Sequence, residues 1–317
     1  MVVTTVVLSG GTWQQRKRDR SKAGTLRSLQ LQPRTVKRYL EAVNSFFSWL
    51  SQNREPMPVS IPAADEILGE FIEDCWAAGD PRGKVGDTLS GLQHFIPSLR
   101  KGLNDAWRLF GTWSKTEIPS RARPLLPEQA LAMAGYALAE GDLAMAAGVL
   151  VCFNGILRPI EAMLTAGQCS FDFQRSIVHL DLGYTKGGKI SGIAEHVVVD
   201  ELEAVVLLSR LLHRRPAGTL LFPRGTAGFR KSFKRLVLAI GAGPSKYKPC
   251  SLRRGGATHH FQVLGSLSKT CVRGRWRQQP TARIYIQDGM AMLQRQGLSR
   301  KEKQLISKGQ SLLRRFL

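Results

Sequence analysis

Apolar residues recur at spacings of three and four along much of the chain, which is the pattern of amphipathic helices. One such stretch follows Pro33, a residue suited to the first turn of a helix. Further stretches lie near 63–78, 87–99 and 99–113. Because only short segments separate them, they predict a compact all-helical bundle over residues 30–114.

Prolines and charges interrupt the helical pattern after this bundle. Residues 115–127 contain three prolines and alternating charges, which disfavour a helix and favour an extended linker. We therefore predict a domain boundary here, with a second domain over residues 128–297. Residues 1–29 are predicted to be a basic flexible arm, and residues 298–317 a basic amphipathic tail.

The second domain combines helical and strand periodicity. Helical patterns cover its first part, and strand patterns follow over 177–182 and 196–199. Between the strands, Lys186 and two glycines predict a hairpin turn. Helical patterns resume after Leu202. The predicted fold class is α+β, mainly helical with one small antiparallel sheet.

The net charge of +22 narrows the function classes. Residues 201–317 carry 24 basic and four acidic side chains, whereas residues 1–200 carry 22 and 20. Such an excess causes self-repulsion unless a polyanion relieves it. The charge therefore disfavours a generic metabolic enzyme and favours a nucleic-acid partner.

Cysteine usage indicates a reducing compartment. The five cysteines include no CxxC pair, and no His and Cys spacing resembles a zinc site. No apolar run approaches the length of a membrane span. We expect an intracellular protein, located with DNA in a nucleus or a nucleoid, with no metal, no cofactor and no membrane contact.

Two of the segments with candidate chemistry lie in the first half of the second domain. Arg158 precedes Pro159 and Glu161, which predicts that Arg158 stands at a helix entrance. Glu161 would lie in the first turn, where a carboxylate can orient a neighbouring arginine. Lys186 lies in the predicted hairpin turn, where a lysine is commonly just solvated.

The other two candidate segments lie in the strongly basic region. Residues 250–261 combine an arginine pair with Gly255 and Gly256, which weaken a helix. Their presence predicts a close approach of the backbone to another element or to DNA. Trp276 and Tyr285 are nine residues apart, with basic residues between them, which suits a phosphate-binding surface.

In this order and spacing, the four segments resemble the tyrosine recombinase (phage integrase) family. That family has an RxxE segment, a hairpin lysine, an H-x-x-R motif, a His or Trp, and a tyrosine nine residues later. Here 23 residues separate Arg253 from Trp276, and nine separate Trp276 from Tyr285. The resemblance covers residues 126–290 by motif. It extends to 30–114 by architecture, because the family places a SAM-like helical core-binding domain before its catalytic domain.

The resemblance implies a role for each matching residue. Tyr285 is the nucleophile that attacks a scissile phosphate and forms a 3′-phosphotyrosine. Arg158 and Arg253 bind the non-bridging oxygens, where charge develops in the transition state. Trp276 donates its indole N–H to the phosphate. Glu161 positions the arginines.

The general acid has two candidate lysines, and one phosphate ligand departs from the family's pattern. Lys186 is expected to protonate the leaving 5′ oxygen, with Lys189 as the alternative, because Lys186 comes first after the strand. Cys250 occupies the position of the family's usual His, and a thiol carries no positive charge. Basic side chains near these segments are predicted to contact DNA: Lys189, Arg254, Arg275, Arg277 and Arg283.

The function implied by the resemblance is that of a site-specific DNA recombinase or integrase of a mobile element. Two domains would enclose double-stranded DNA, and four protomers on two sites would exchange strands. Two alternatives remain: a type IB topoisomerase-like enzyme without strand exchange, and a catalytically silent DNA-binding relic. The tail over residues 298–317 either docks on a neighbouring protomer, as in family members, or packs on its own domain.

Overall fold

The computed structural model describes residues 11–317, apart from the side chains of Lys186 and Ile190. The chain divides into two compact units, one ending at Ser120 and the other covering Arg121–Leu317. Residues 1–10, which belong to the predicted basic arm, lie outside the described residues.

The first unit contains five helices and a short 3₁₀ turn in its described part. Helix α2 packs on α4, and α3 packs on α5, around a core that includes Phe46, Leu68 and Phe71. The rings of Phe46 and Phe71 meet edge to face at 5.1 Å, a favourable aromatic geometry. The helix bounds are α1 (Trp13–Ala23), α2 (Pro33–Asn53), α3 (Ile61–Ala77), α4 (Arg82–Phe95) and α5 (Asn104–Thr116), with the 3₁₀ turn at Pro97–Leu99.

Helix α1 differs from the predicted loose arm. Thr12 accepts a hydrogen bond from the backbone N–H of Gln15, and the Gln15 side chain accepts one from the backbone of Thr12. This capping box stabilises a helix start even where no side chain is buried, as is the case throughout α1. The sequence analysis considered the segment's charge and overlooked this capping signal.

The second unit surrounds the apolar helix α7, whose residues from Met145 to Phe153 are all buried. Helices α6, α9 and α11 pack against it. The helix bounds are α6 (Pro127–Ala139), α7 (Leu143–Asn154), α8 (Lys186–Ser191), α9 (Leu202–Leu212), α10 (Gly225–Ala239), α11 (Cys250–Leu264), α12 (Leu267–Gly274), α13 (Gln279–Tyr285), α14 (Asp288–Gln296) and α15 (Arg300–Phe316).

A small antiparallel sheet lies against these helices, in the order β1 (Cys169–Asp172), β2 (Ile177–Gly183), β3 (Glu195–Val199). Val178 pairs with Val199 and Leu180 with Val197, and all four side chains are buried on one face. The predicted α+β fold class is confirmed. Strand β1 is too short to show a clear alternation, and the sequence analysis missed it.

The segment between β2 and β3 corrects the predicted hairpin turn. Residues 186–191 form helix α8, because the Thr185 side chain caps it by accepting from the N–H of Gly188. Gly192 ends the helix in the left-handed conformation, with φ of 67°. Lys186 is therefore the first residue of a short helix.

Helix α15 contains the basic tail and packs on α6 of the same unit. Ile306 and Leu313 are buried in this contact. A Cβ on Gly135 would lie 1.8 Å from the carbonyl oxygen of Gly309, so glycine permits the close approach of the two helices. Of the two alternatives for the tail, packing on its own domain is the one found.

Candidate functional site

Arg158 and Glu161 lie in a turn, and the prediction that Pro159 begins a helix is wrong. The carboxylate of Glu161 accepts from the backbone N–H of Arg158 at 2.8 Å and from the Arg158 guanidinium. The chain then becomes extended, because the N–H of Leu221 donates to the carbonyl of Leu164 at 2.9 Å. A turn followed by an extended segment therefore stands where the helix was predicted.

The two glycines of α11 fit against neighbouring backbone. A Cβ on Gly255 would lie 2.1 Å from the Leu125 oxygen, and one on Gly256 would lie 1.9 Å from the Phe153 oxygen. The close approach predicted for this pair is thus to other elements of the same unit. Because α11 packs so tightly here, Arg253 points into the interior of the unit.

Arg253 is only 2% exposed and is held from several directions. Its Nη1 donates to the Ile156 oxygen at 2.8 Å and to Glu161 at 3.2 Å. Its Nη2 donates to the Gly274 oxygen at 2.8 Å. These bonds fix the plane of the guanidinium.

A third guanidinium joins the same carboxylate. Arg275, with φ of 58°, donates from Nη2 to Glu161 at 2.9 Å and from Nε to Glu195 at 3.1 Å. Its side chain is 9% exposed and pairs with two carboxylates, and the DNA contact of Arg275 stays a prediction. Sequence reasoning missed Glu195, because nothing in the pattern of β3 distinguishes it from a solvated acid.

The charges of the cluster are mutually dependent. Burial alone would raise the pKa of Glu161, but Arg253, Arg275 and Arg158 hold it below its usual value. Burial lowers the pKa of Arg253 to about 10, and the neighbouring cations Arg158 and Arg275 add to this effect. Burial also opposes the charge of Arg158, yet Glu161 outweighs it and raises the Arg158 pKa. Glu161, Arg158 and Arg253 are therefore charged near neutral pH.

Two aromatic rings cover the free side of Arg253. Its guanidinium carbon lies 4.9 Å from the centre of the Trp276 ring and 5.4 Å from that of Tyr285. The two rings are 5.0 Å apart. The indole Nε1 of Trp276 and the Nε of Arg253 are both buried, with no hydrogen-bond acceptor among the described residues. Such donors are costly to leave unpaired, so the cluster is suited to an anion.

The remaining predicted basic residues differ in position. Lys186 begins α8, and its side chain lies outside the described residues. Lys189 is partly buried, and burial lowers its pKa. Arg277 is exposed and donates to the Ser191 hydroxyl of α8 at 2.9 Å, and Arg283 is also exposed. The choice between the two lysines as general acid stays open.

Cys250 and Arg254 lie one turn apart on α11. The Cys250 thiol is exposed, whereas Arg254 is 7% exposed. The Nε of Arg254 is buried and has no acceptor in the described part of the chain. The structure thus brings together Arg158, Glu161, Arg253, Trp276 and Tyr285. Cys250 and Arg254 lie on the same helix as Arg253, one before it and one after it.

The described residues form neither a metal-binding cluster nor a membrane-spanning helix. Within residues 11–317 no group of three His, Cys, Asp or Glu side chains is arranged to hold a metal ion. No helix in that range has the length and apolar character needed to cross a membrane.

Comparison with known proteins gives a result at the level of the fold. No protein-family model matches the chain, and no curated protein matches it. Among solved structures, the Tn1549 transposon integrase in complex with transposon right end DNA is similar, with a TM-score of 0.57 and 12% identity. The similarity covers 83% of this chain and 99% of that one.

The XerH site-specific recombinase bound to a palindromic difH substrate is also similar, with a TM-score of 0.51 and 15% identity over 86% of this chain and 80% of that one. This chain has the fold of a tyrosine recombinase. The predicted resemblance to that family is thereby confirmed at the level of the fold. At these identities the similarity extends no further, and the chemistry is argued from the site.

Proposed function

We infer that this protein is a site-specific DNA recombinase or integrase that cuts and rejoins DNA through a covalent tyrosine intermediate. One observation carries the inference. The Nε of Arg253 and the Nε1 of Trp276 are buried donors without an acceptor in the described chain, and both lie beside the ring of Tyr285. A phosphate between them and the phenol would accept from both donors and present its phosphorus to a nucleophile.

In the proposed reaction, the Tyr285 phenol releases its proton to solvent as its oxygen bonds to the phosphorus, and the bond from phosphorus to the 5′ oxygen breaks. A lysine, Lys186 or Lys189, gives its proton to the departing 5′ oxygen. The product is a 3′-phosphotyrosine that conserves the phosphodiester energy. A 5′ hydroxyl of another strand then displaces Tyr285 in the reverse reaction, without ATP.

The arginines supply the positive charge that this reaction needs. Arg253 and Arg158 would donate to the non-bridging oxygens, and Glu161 is the positioning residue that holds both guanidiniums. Because their geometry is fixed before DNA binds, little reorganisation accompanies the transition state. We propose that no metal ion takes part. Cys250, in the position of the family's usual His, adds no such charge.

The solved relatives support double-stranded DNA as the partner. The Tn1549 integrase and XerH were both solved with DNA, and both share the fold of this chain. The excess of basic residues after residue 200 is consistent with the same partner. By the same analogy, we propose that the protein acts in a DNA-containing compartment as a homo-oligomer, a tetramer on two sites.

Covalent trapping tests the proposal. The wild-type chain, Tyr285→Phe and the control Tyr184→Phe would be incubated in EDTA with a supercoiled library of random inserts, then denatured. Tyr184 is a half-exposed tyrosine of the same unit, so its substitution controls for loss of a phenol. We expect protein-linked DNA with the wild type and Tyr184→Phe only.

The trapping outcomes separate the alternatives. Adducts on any supercoiled plasmid, without sequence preference and without strand exchange, would favour a topoisomerase-like enzyme. Salt-sensitive binding with no adduct on any DNA would favour a silent DNA-binding protein. Adduct formation by Tyr285→Phe at the wild-type level would refute the assignment of the nucleophile.

A further inference from the structure

We propose that Arg254, together with Arg121, binds a second backbone phosphate of the DNA, next to the reacting one, and adds positive charge on the part of α11 where Cys250 contributes none. The inference rests on the proposed function, because it takes duplex DNA as the ligand. It assigns a phosphate contact to the arginine that follows Arg253 in the chain.

The first observation is a buried cation without a partner. Arg254 is only 7% exposed. Its guanidinium makes no hydrogen bond within the described part of the chain. Arg253, the neighbouring buried arginine, donates to the carbonyls of Ile156 and Gly274 and to Glu161. The two adjacent arginines therefore differ, since the terminal nitrogens of Arg253 are bonded within the protein, whereas no side-chain nitrogen of Arg254 is bonded to a described residue. A buried donor without an acceptor is unfavourable, so we infer that an external anion accepts from the Arg254 Nε.

The second observation is the set of groups around Arg254. Those within electrostatic reach are Arg121, the Cys250 thiol and the Tyr285 phenol, with no carboxylate among the described residues. Burial lowers the pKa of Arg254, and the like charge of Arg121 lowers it further. Like charges without a neighbouring acid repel each other, and an anion bound by both would relieve that repulsion. The structure supplies cations here and leaves the anion to come from outside.

The third observation places the segment that follows Arg121 beside the start of α11. The backbone N–H of Leu125 donates to the Ser251 oxygen at 3.1 Å, and that of Arg123 donates to the Lys246 oxygen at 3.1 Å. These bonds hold the segment that begins at Arg121 along the start of α11. Cys250 is exposed on the first turn, so a ligand can approach Arg254 from there. A guanidinium is planar and pairs with two phosphate oxygens, which suits a backbone phosphate.

If Arg254 has only a packing role, its replacement should affect stability and not DNA binding, and experiment can separate the two roles. If Arg254 only fills space, an apolar side chain of similar length at its position should leave DNA binding intact. If it awaits a phosphate, the same change should relieve repulsion in the free protein and remove a DNA contact. Arg254→Met in the full chain is therefore the informative variant. Arg230→Met, at an exposed position of α10, is the matched control for loss of one charge.

Two measurements decide between the roles. The melting temperature would be recorded without DNA, and the affinity for a short duplex of arbitrary sequence would be recorded over a range of salt concentrations. We expect Arg254→Met to melt at or above the wild-type temperature. Its slope of log affinity against log salt should fall by about 0.9, the value for one phosphate contact. A lower melting temperature with an unchanged salt slope, or failure to fold, would show a packing role and overturn the proposal.

The substitution Cys250→His tests whether Arg254 stands in for the missing cation. A histidine with a pKa near 6.5 is charged at about pH 6 and neutral at about pH 8. In the Arg254→Met background, we expect Cys250→His to restore DNA affinity at the lower pH. In the wild-type background, the same change should raise DNA affinity much less. Equal gains in DNA affinity in both backgrounds would show that the charge of Arg254 does not take the place of a cation at position 250.

The two proposals can fail separately. The melting temperature and the salt slope do not depend on strand cleavage. If the wild type forms no covalent adduct and Arg254→Met still lowers the salt slope, the recombinase proposal fails and the Arg254 phosphate site stands. If the adduct forms and the salt slope is unchanged, only the Arg254 proposal is overturned.

Discussion

Replacement of Glu161 by glutamine should destabilise the second unit strongly. The Glu161 carboxylate accepts from Arg158, Arg253 and Arg275, and its side chain is 6% exposed. Glutamine keeps the size of the side chain and removes the charge. Arg253 and Arg275, also buried, would then lie near each other with only Glu195 to balance them.

The magnitude follows from the burial of these groups. Removal of one partner from a buried ion pair costs about 3–5 kcal/mol, because the remaining charge is left without compensation. That is a large fraction of the roughly 5–15 kcal/mol by which proteins are stable. The matched control is Glu140→Gln, which breaks a half-exposed pair with Arg235 in the same unit. Such a surface pair contributes about 0–1 kcal/mol.

Amide hydrogen exchange of the full chain, read by mass spectrometry on peptides of α11, measures the effect in the right unit. Tryptophan fluorescence is less suitable, because five of the six tryptophans lie before residue 120 and would report on the first unit. A loss of about 3–5 kcal/mol accelerates exchange of the protected amides by roughly two to nearly four orders of magnitude. Exchange in Glu161→Gln that is no faster than in Glu140→Gln would refute the argument from burial.

Three further predictions follow from the same contacts. The pKa of Glu161 in the folded protein lies below its usual 4.5. The stability that this carboxylate contributes is therefore fully present above pH 4.5 and is lost as the pH falls through the folded pKa. An acid titration of unfolding should show this loss in the wild type and not in Glu161→Gln. Gly256→Ala should cost about 3 kcal/mol in urea unfolding, because its Cβ would lie 1.9 Å from the Phe153 oxygen, whereas Gly243→Ala, with no neighbour closer than 3.8 Å, should cost little; equal costs would contradict the close packing. Deletion of residues 299–317 should lower the melting temperature without DNA, because α15 buries side chains against α6, and an unchanged melting temperature would favour docking on a partner.

Periodicity and spacing anticipated much of the fold and the candidate site. The apolar pattern after Pro33 corresponds to α2, because an amphipathic helix repeats with the period of its own geometry. The resemblance to a family with this order and spacing grouped Arg253 with Tyr285, and in the structure both side chains contact Trp276. These signals are local or depend on chain order, and both are visible in a single sequence.

The remainder depends on contacts that no local pattern contains. The turn at Arg158 arises from the Glu161 side chain and from the pairing of Leu164 with a residue far along the chain. The burial of Arg275 depends on the acids Glu161 and Glu195, which lie far from it in sequence. Helix propensity therefore predicted a helix entrance where tertiary pairing produced a turn, and charge alone gave no sign that Arg275 is buried between two carboxylates.

Identification of the residue that bears the DNA tests the central claim most directly. Trapped adducts would be digested with nuclease and protease, and the peptide carrying a nucleotide would be sequenced by mass spectrometry. The account predicts a 3′-phosphonucleotide on Tyr285, in the peptide that contains residues 279–286. A nucleotide on Tyr184, or on any other side chain, would contradict it.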